Sequence, residues 1–425
     1  GSSGFQTGST YKLFTLGAWL NSGKKLLDHV DGRVRQWDAG DFKARCGNVA
    51  TPWAPNNISK EPEDLTVVQA TALSVNTAFA DMAHQLDLCD IRDVAMAFGV
   101  HRADGNELSY VPSSILGINE IAPITMAAAL GGIANNGTFC TPIAIDKVIK
   151  RATKTEMAIP TSKCSQAVTP EVSAGMLYAM KRVVSGGTGG ASSTGDGVML
   201  AGKTGTTDSG VHTWMTGAST AVATATWVGN VSGSTSLSRI SLNGKAGNTV
   251  RHDIWRSIMQ VANKQYPTGV FPNPPQSMID ATMITVPQVS GQAPSDAEQN
   301  ILINDLNATI VVKKVASSQP AGTVAYTRPS GGQVIPRGSQ VKIFVSSGGQ
   351  IKIPSAGVVG ETPENAIATL VGAGFSTATA PQPSQTQLFQ RSDTIPAGRV
   401  LGTIPAVGKS ASKDSAILLI ISTGP

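Results

Sequence analysis

The stretch Gly8-Ser9-Thr10-Tyr11-Lys12-Leu13-Phe14 sets a serine and a lysine three positions apart, directly ahead of an apolar run at residues 13–20. That run has helical spacing, so Ser9 falls near a helix N-terminus and Lys12 lies on the same face, about one turn on. A serine hydroxyl attacks poorly until a base takes its proton. A lysine can be that base once its pKa is depressed, and burial and the positive end of a helix dipole both depress it. The unpaired backbone N–H groups of a helix start also suit a developing oxyanion. By itself an S-x-x-K recurs by chance in many chains, and a surface serine and lysine is the plain alternative.

Two more short patterns follow in order. Ser74-Val75-Asn76 falls inside the helical spacing of residues 67–86. Lys203-Thr204-Gly205-Thr206-Thr207 follows a β-rich run at residues 198–201. A lysine and two hydroxyls at a strand end hold a carboxylate by charge and hydrogen bonds. Gly205 has no Cβ, so a substrate backbone or a second catalytic element can come close. Around these patterns the first 265 or so residues read as mixed helix and strand. Residues 122–134 have helical spacing ended by Asn135-Asn136-Gly137, and residues 221–231 are a strand rich in Val, Thr and Trp.

S-x-x-K, then S-x-N, then K-T-G is the acyl-transfer signature of penicillin-binding proteins and class A β-lactamases. The first stretch and Ala201-Gly202-Lys203-Thr204-Gly205-Thr206-Thr207-Asp208 resemble the transpeptidase domain of bifunctional, class A penicillin-binding proteins. So do Leu116-Gly117-Ile118-Asn119-Glu120-Ile121-Ala122-Pro123-Ile124-Thr125-Met126-Ala127, Ala134-Asn135-Asn136-Gly137 and Gly187-Thr188-Gly189. The resemblance covers roughly residues 1–265. It implies an α+β serine acyl-transferase fold, an antiparallel sheet with a helical subdomain. Carried over by motif, Ser9 is the acylated nucleophile, Lys12 its general base, and Ser74 the relay towards the leaving amine. Asn76 would hydrogen-bond the substrate amide. Lys203, Thr204 and Thr206 would bind the terminal carboxylate, with Gly205 a further substrate-binding position. The backbone N–H groups of Ser9 and Thr206 would form the oxyanion hole, with the donor peptide along the edge strand that ends in K-T-G.

Beyond residue 265 the sequence changes character. Tyr266-Pro267-Thr268-Gly269-Val270-Phe271-Pro272-Asn273-Pro274-Pro275 reads as a linker, extended to residue 283. The rest repeats itself. Pro320-Ala321-Gly322-Thr323-Val324 matches Pro396-Ala397-Gly398-Arg399-Val400, and Val345-Ser346-Ser347-Gly348 matches Ile421-Ser422-Thr423-Gly424, both at an offset of 76. Gly291 and Ala297 match Gly360 and Ala366 at an offset of 69, so the second unit carries about seven extra residues near 385–391. Each unit has a helix, at residues 294–306 and 363–372, then short strands. These units, 284–349 and 350–425, resemble PASTA domains. A class A transpeptidase followed by two PASTA repeats is similar to actinobacterial cell-wall synthases.

Two departures from the family stand out. Where it has Asp-x-Trp nine residues after the K-T-G lysine, this chain has His212-Thr213-Trp214, read as a lineage variant outside the acylation machinery. The family also places a helix and the first strands of a five-stranded sheet ahead of S-x-x-K, preceded by a glycosyltransferase domain and a membrane anchor. Without those strands the domain reads as N-terminally truncated, with exposed sheet edges. The expectation is that the chain is part of a longer one, or that this domain does not fold alone.

The substrate class follows from the resemblance: an extracytoplasmic D,D-transpeptidase acting on peptidoglycan stem peptides, acylated at Ser9 by β-lactams. A class A β-lactamase needs Glu-x-x-x-Asn between S-x-N and K-T-G, and none of Glu107, Glu120, Glu156 and Glu171 has Asn four residues on. Transfer to an amine is favoured over hydrolysis, with a D,D-carboxypeptidase as the near alternative. A wall-binding or β-lactam-sensing module is the alternative from another class. The repeats then either bind muropeptide or serve as spacers.

Composition narrows the rest. Of 425 residues 41% are hydrophobic and 14% charged, which suits packed domains rather than a disordered chain. The longest apolar runs, such as residues 126–130, are far short of the ~20 residues a membrane span needs. The net charge of +5 is spread without a basic stripe, against nucleic-acid binding. No C-x-x-C and no ligand spacing among the five histidines argue against a metal. Gly186-Gly187-Thr188-Gly189-Gly190 lacks the Lys-Ser/Thr of a phosphate loop, so no cofactor is expected. Four cysteines fit two disulfides in an exported protein. Local order favours Cys46–Cys89 and Cys140–Cys164, though three connectivities stay open.

Overall fold

A computed structural model describes residues 4–425, which divide into two compact units. The first runs to Met283 and takes in Pro336–Ser339, and the second holds Ile284–Ile335 and Gln340–Pro425.

In the first unit a 3-10 turn, Gly8–Tyr11, leads into helix α1, Lys12–Asn21. Then come α2 (Val67–Leu73), α3 (Asn76–His84), α4 (Leu88–Ala97), α5 (Pro123–Ala134) and α6 (Pro170–Gly186). Strands β1 (Ala201–Thr206), β2 (His212–Ala218) and β3 (Ala223–Gly229) follow, and then α7 (Val250–Gln265). The local signals are ordinary ones. Thr66 and Gln69 form a capping box at α2, Thr169 caps α6 with Pro170 at its first turn, and Pro123 opens α5.

The three strands form an antiparallel sheet with β2 in the middle. Alternate β2 side chains go to opposite faces. Trp214 enters the main helical core with Leu13, Phe14 and Met180, while Met215 packs with Trp255 and Met259 of α7. Both faces of β2 are covered, so this strand is buried almost throughout. The sheet has three strands rather than the family's five. Among the described residues no further strand pairs with β3 on its outer side, and Ile254, Ile258 and Val261 of α7 remain exposed.

Three sequence expectations need correction. Residues 67–86 are two helices, α2 and α3, because Ser74 turns left-handed at φ 60° and caps α2. The strand expected at residues 198–201 begins only at Ala201 and runs through Thr206, so K-T-G lies within β1 rather than beyond its end. The cause is pairing: Ala201↔Ala218 to Thr206↔Thr213 match β2 without interruption. Residues 266–283, expected as a linker, are packed into the first unit. Phe271 is buried in its core, and the carbonyls of Met278 and Ile279 accept from the N–H groups of Leu26 and Leu27, each at 3.0 Å.

Both disulfides lie in this unit, Cys46–Cys89 and Cys140–Cys164. The second joins facing residues of the pair Thr138–Cys140 and Cys164–Gln166.

The second unit holds two repeats. The first has α8 (Pro294–Ile303), then β4 (Asn307–Val315), β5 (Val324–Arg328) and β6 (Gln340–Ser346). β6 is central, parallel to β4 and antiparallel to β5. The second has α9 (Pro363–Gly372), β7 (Thr377–Thr379), β8 (Phe389–Gln390), β9 (Val400–Ile404) and β10 (Ala416–Ser422). Here β7 and β8 both run parallel to β10, so the extra residues interrupt a strand that is continuous in the first repeat. Equivalent helix positions are buried: Ala297 and Ile301, Ala366 and Leu370. Ser346 and Ser422 each donate to a carbonyl, of Gln319 and Ile395, and accept from Gly348 and Gly424.

Candidate active site

Gly8 has φ 54°, the left-handed region that glycine tolerates, and its N–H donates to the carbonyl of Gly117 at 3.1 Å. This fixes the turn carrying Ser9, which is 8% exposed at the floor of a cleft. One turn on, Lys12 is fully buried. Its Nζ donates to the Ser74 carbonyl at 2.6 Å and to Asn76 Oδ1 at 2.6 Å, with Ser74 Oγ at 3.4 Å. The left-handed turn at Ser74 is what aims that carbonyl at Lys12. Burial, reinforced by the charge of Lys203, holds the Lys12 pKa well below the ordinary lysine value. A neutral amine has two N–H bonds and one lone pair. The two short bonds use both hydrogens and leave the lone pair available to take a proton.

Lys203, on β1, is also fully buried. Its Nζ lies 2.6 Å from Ser74 Oγ and 3.2 Å from the Thr204 carbonyl. Burial, then the charge of Arg251, pulls its pKa down to about 7. The Ser74 hydroxyl therefore accepts from Lys203 on β1, while Lys12 Nζ stands 3.4 Å away on the α1 side. Its own hydrogen stays available for donation into the cleft.

β1 is the sheet edge nearest this turn, and the packing there leaves no room for extra atoms. A Cβ on Gly205 would lie 2.3 Å from the Thr7 carbonyl oxygen, and one on Gly8 2.6 Å from the Thr206 carbonyl oxygen. The Thr207 N–H bonds the His212 carbonyl across the sheet, so the alternation of an antiparallel edge turns the Thr206 N–H away from β2. Backbone donors of Ser9 and Thr206 thus flank the same space. The cleft has two lobes meeting at Ser9, Thr206, Ile58 and Asn248. One, about 400 Å³, runs past Trp53, Leu116 and Ser209. The other, about 310 Å³, runs past Ser74, Thr188, Thr204 and Arg251.

Ser9, Lys12, Ser74, Asn76, Lys203, Thr204, Gly205 and Thr206, scattered in sequence, converge here. Asn76 differs in its use. Its Oδ1 accepts from Lys12 and its Nδ2 donates to the Asn56 carbonyl at 2.7 Å, so it positions the lysine as well as facing the cleft. His212 does not line the cleft. It packs against Phe5 and Trp227 and donates its backbone N–H to Thr207 Oγ1 at 3.0 Å. None of Glu107, Glu120, Glu156 and Glu171 lines either lobe; the carboxylates that do are Asp208 in the first and Glu61 in the second.

Sequence reading missed two contributors. Thr188 Oγ1 is 2.6 Å from Thr204 Oγ1, and its N–H is held by the Ala72 carbonyl at 3.0 Å. A signal existed: Gly187, where a Cβ would meet Ala72 O at 2.3 Å, belongs to the Gly187-Thr188-Gly189 stretch that resembles the family but was given no role. Arg251, at the start of α7, donates to Thr206 Oγ1 at 3.4 Å and to the Asn248 carbonyl at 2.8 Å. Burial lowers its pKa to about 10. No motif marked it. Among the described residues no cluster of side chains could hold a metal ion, and no helix is long and apolar enough to cross a membrane.

Residues 2–260 match the family model described as the penicillin binding protein transpeptidase domain, and residues 284–347 and 356–423 match the PASTA domain. The chain is similar to penicillin-binding protein 1A of Aquifex aeolicus, 29% identical over 271 residues that cover 61% of this chain and 35% of that protein. It is 27% identical over 296 residues to penicillin-binding protein 1A of Mycobacterium tuberculosis, covering 64% of this chain and 34% of that one. The chain thus spans about a third of the length of these relatives. Among solved structures, PonA1 from Mycobacterium tuberculosis matches with a TM-score of 0.55 at 24% identity, over 64% of this chain and 72% of that chain, a likeness of fold. The PonA1 complex with penicillin V matches at 0.53 and 25% identity, over 64% of this chain and 73% of that one.

Proposed function

This chain belongs to the penicillin binding protein transpeptidase family, and on that premise we propose that it is a serine D,D-transpeptidase working through a Ser9 acyl-enzyme. The substrate is the D-Ala-D-Ala end of a peptidoglycan stem peptide. Ser9 Oγ attacks the penultimate D-Ala carbonyl while its proton passes to the lone pair of Lys12 Nζ. The oxyanion points to the N–H groups of Ser9 and Thr206. The C–N bond then breaks, and the leaving amine takes the proton of Ser74 Oγ, which Lys12 replaces. Lys203, Thr204 and Thr206 hold the terminal carboxylate. An amine of a neighbouring stem takes the acyl group from Ser9. In a β-lactam the leaving amine stays tethered to the acyl group, so it remains in the way of the second step.

The observation that carries this reading is the single Ser74 hydroxyl shared by two fully buried lysines, Lys12 and Lys203. A site retained only to sense ligand has no need to bury two lysine amines around one proton relay, since each burial costs free energy. The two disulfides support an oxidising, extracytoplasmic compartment.

Intact mass after incubation with a simple penicillin tests it, on the wild type and on Ser9→Ala. A stable adduct on the wild type alone is expected. No adduct on the wild type, with native circular dichroism, would overturn the acyl-enzyme in favour of a wall-binding module.

A further inference from the structure

Helix α3 opens at Asn76 behind Val75, whose side chain cannot cap it. The acceptor for its second N–H comes from 20 residues earlier, in the long segment between α1 and α2. Asn57 Oδ1 accepts from the Thr77 N–H at 3.1 Å, and Asn57 Nδ2 donates to Thr77 Oγ1 at 2.9 Å. The buried Thr77 hydroxyl passes its own hydrogen to the Gly32 carbonyl at 2.6 Å. Each polar atom of this hook has one role, so the hook holds the Asn57 amide in a single orientation. It also sets the preceding carbonyl, of Asn56, against Asn76 Nδ2 at 2.7 Å.

That contact decides which way the Asn76 amide faces. Its two ends are alike in shape and opposite in hydrogen bonding. A carbonyl only accepts, so the end beside Asn56 is the NH2 group. The end beside Lys12 is then the oxygen, which accepts from Nζ at 2.6 Å. Turned over, the amide would set oxygen against oxygen at Asn56 and an N–H against Lys12 Nζ. A neutral Lys12 would use its one lone pair on that N–H, and the base for Ser9 would be lost. We infer that Asn57 is a positioning residue for the general base. Through the Asn56 carbonyl it holds the Asn76 amide in the orientation that leaves the Lys12 lone pair free. It acts through Asn76 and not on the reacting atoms. The inference rests on Lys12 as the base in the acyl-enzyme mechanism proposed above.

The test follows penicillin acylation of the full chain by intact mass over time, for Asn57→Ala and Asn76→Ala singly and together. Asn57→Ala should slow acylation by about tenfold, the scale of one lost buried hydrogen bond. In the Asn76→Ala background there is no amide to turn over, and the same change should slow it by less than about twofold. Thr77→Val, which removes the acceptor of Asn57 Nδ2 and keeps the side-chain shape, should repeat the pattern. A hook that only stiffens the fold would slow acylation equally in both backgrounds, and that result overturns the inference. So does a wild-type rate for Asn57→Ala. Either result leaves the acyl-enzyme standing, whereas no adduct on the wild type overturns both. If urea melts show that one of the two hook variants fails to fold, the other decides.

Discussion

Lys203 Nζ lies 2.6 Å from Ser74 Oγ, and through that hydroxyl a strand-borne lysine touches the oxygen that Lys12 approaches from the helix side. Ser74→Ala removes the shared acceptor and the proton donor together. Acylation by penicillin should slow by about 10²-fold or more, the usual worth of a positioned proton carrier. Stopped-flow acylation would check this, and a rate within a factor of three of wild type would remove Ser74 from the chemistry.

Lys12→Met keeps the length of a fully buried side chain and deletes the base. Penicillin acylation should fall by about 10²- to 10⁴-fold. Folding stability should hold or rise, because an unfavourably buried amine is gone. Urea midpoints measured beside the rates separate loss of base from loss of fold.

Lys203 gives the pH dependence. Its folded pKa of about 7 means that the charge which attracts a carboxylate fades as pH rises through that value. The rate ratio of penicillin, which carries a carboxylate, to an uncharged ester should fall by roughly threefold to tenfold between pH 6 and 8. Arg251 stays charged in that range and limits the drop. A flat ratio would assign carboxylate recognition away from Lys203.

The same lysine links folding to pH. Its folded pKa of about 7 lies below its ordinary 10.5, so between these values the unfolded chain binds more protons. Wild-type stability should therefore climb with pH across that window relative to Lys203→Met, which cannot titrate there. Urea melts of both proteins at pH 6 and pH 9 would show it. The gap in favour of the variant should be wider at pH 6.

Gly205→Ala tests the close approach of sheet and catalytic turn. The added methyl would stand 2.3 Å from the Thr7 carbonyl oxygen and 2.9 Å from Thr10 Cγ2. Because the first neighbour is backbone, the turn carrying Ser9 must move. A stability loss of about 1–3 kcal/mol with a marked fall in acylation is expected. A variant with wild-type kinetics would show that the turn yields without consequence.

By itself the sequence determined the three acyl-transfer motifs, their order, and the two C-terminal repeats with their unequal length. These features are written in residue identity and spacing. Gly205 was legible for the same reason, since a missing Cβ is a property of the residue. What only the tertiary structure decided depends on surroundings. Spacing joined residues 67–86 into one helix. The left-handed turn at Ser74 divides it, and that turn has its use in a carbonyl aimed at Lys12. Residues 266–283 looked like a linker by their prolines, but Phe271 packs into a core formed by distant segments. Arg251 carries no motif and Thr188 lies in a resembling stretch without an assigned role; their roles come from Thr206 and Thr204, which the fold brings beside them. Above all, the two lysines have depressed pKa values because they are buried and near other cations. Basicity of that kind belongs to the folded environment, so no pattern of residues could have stated it.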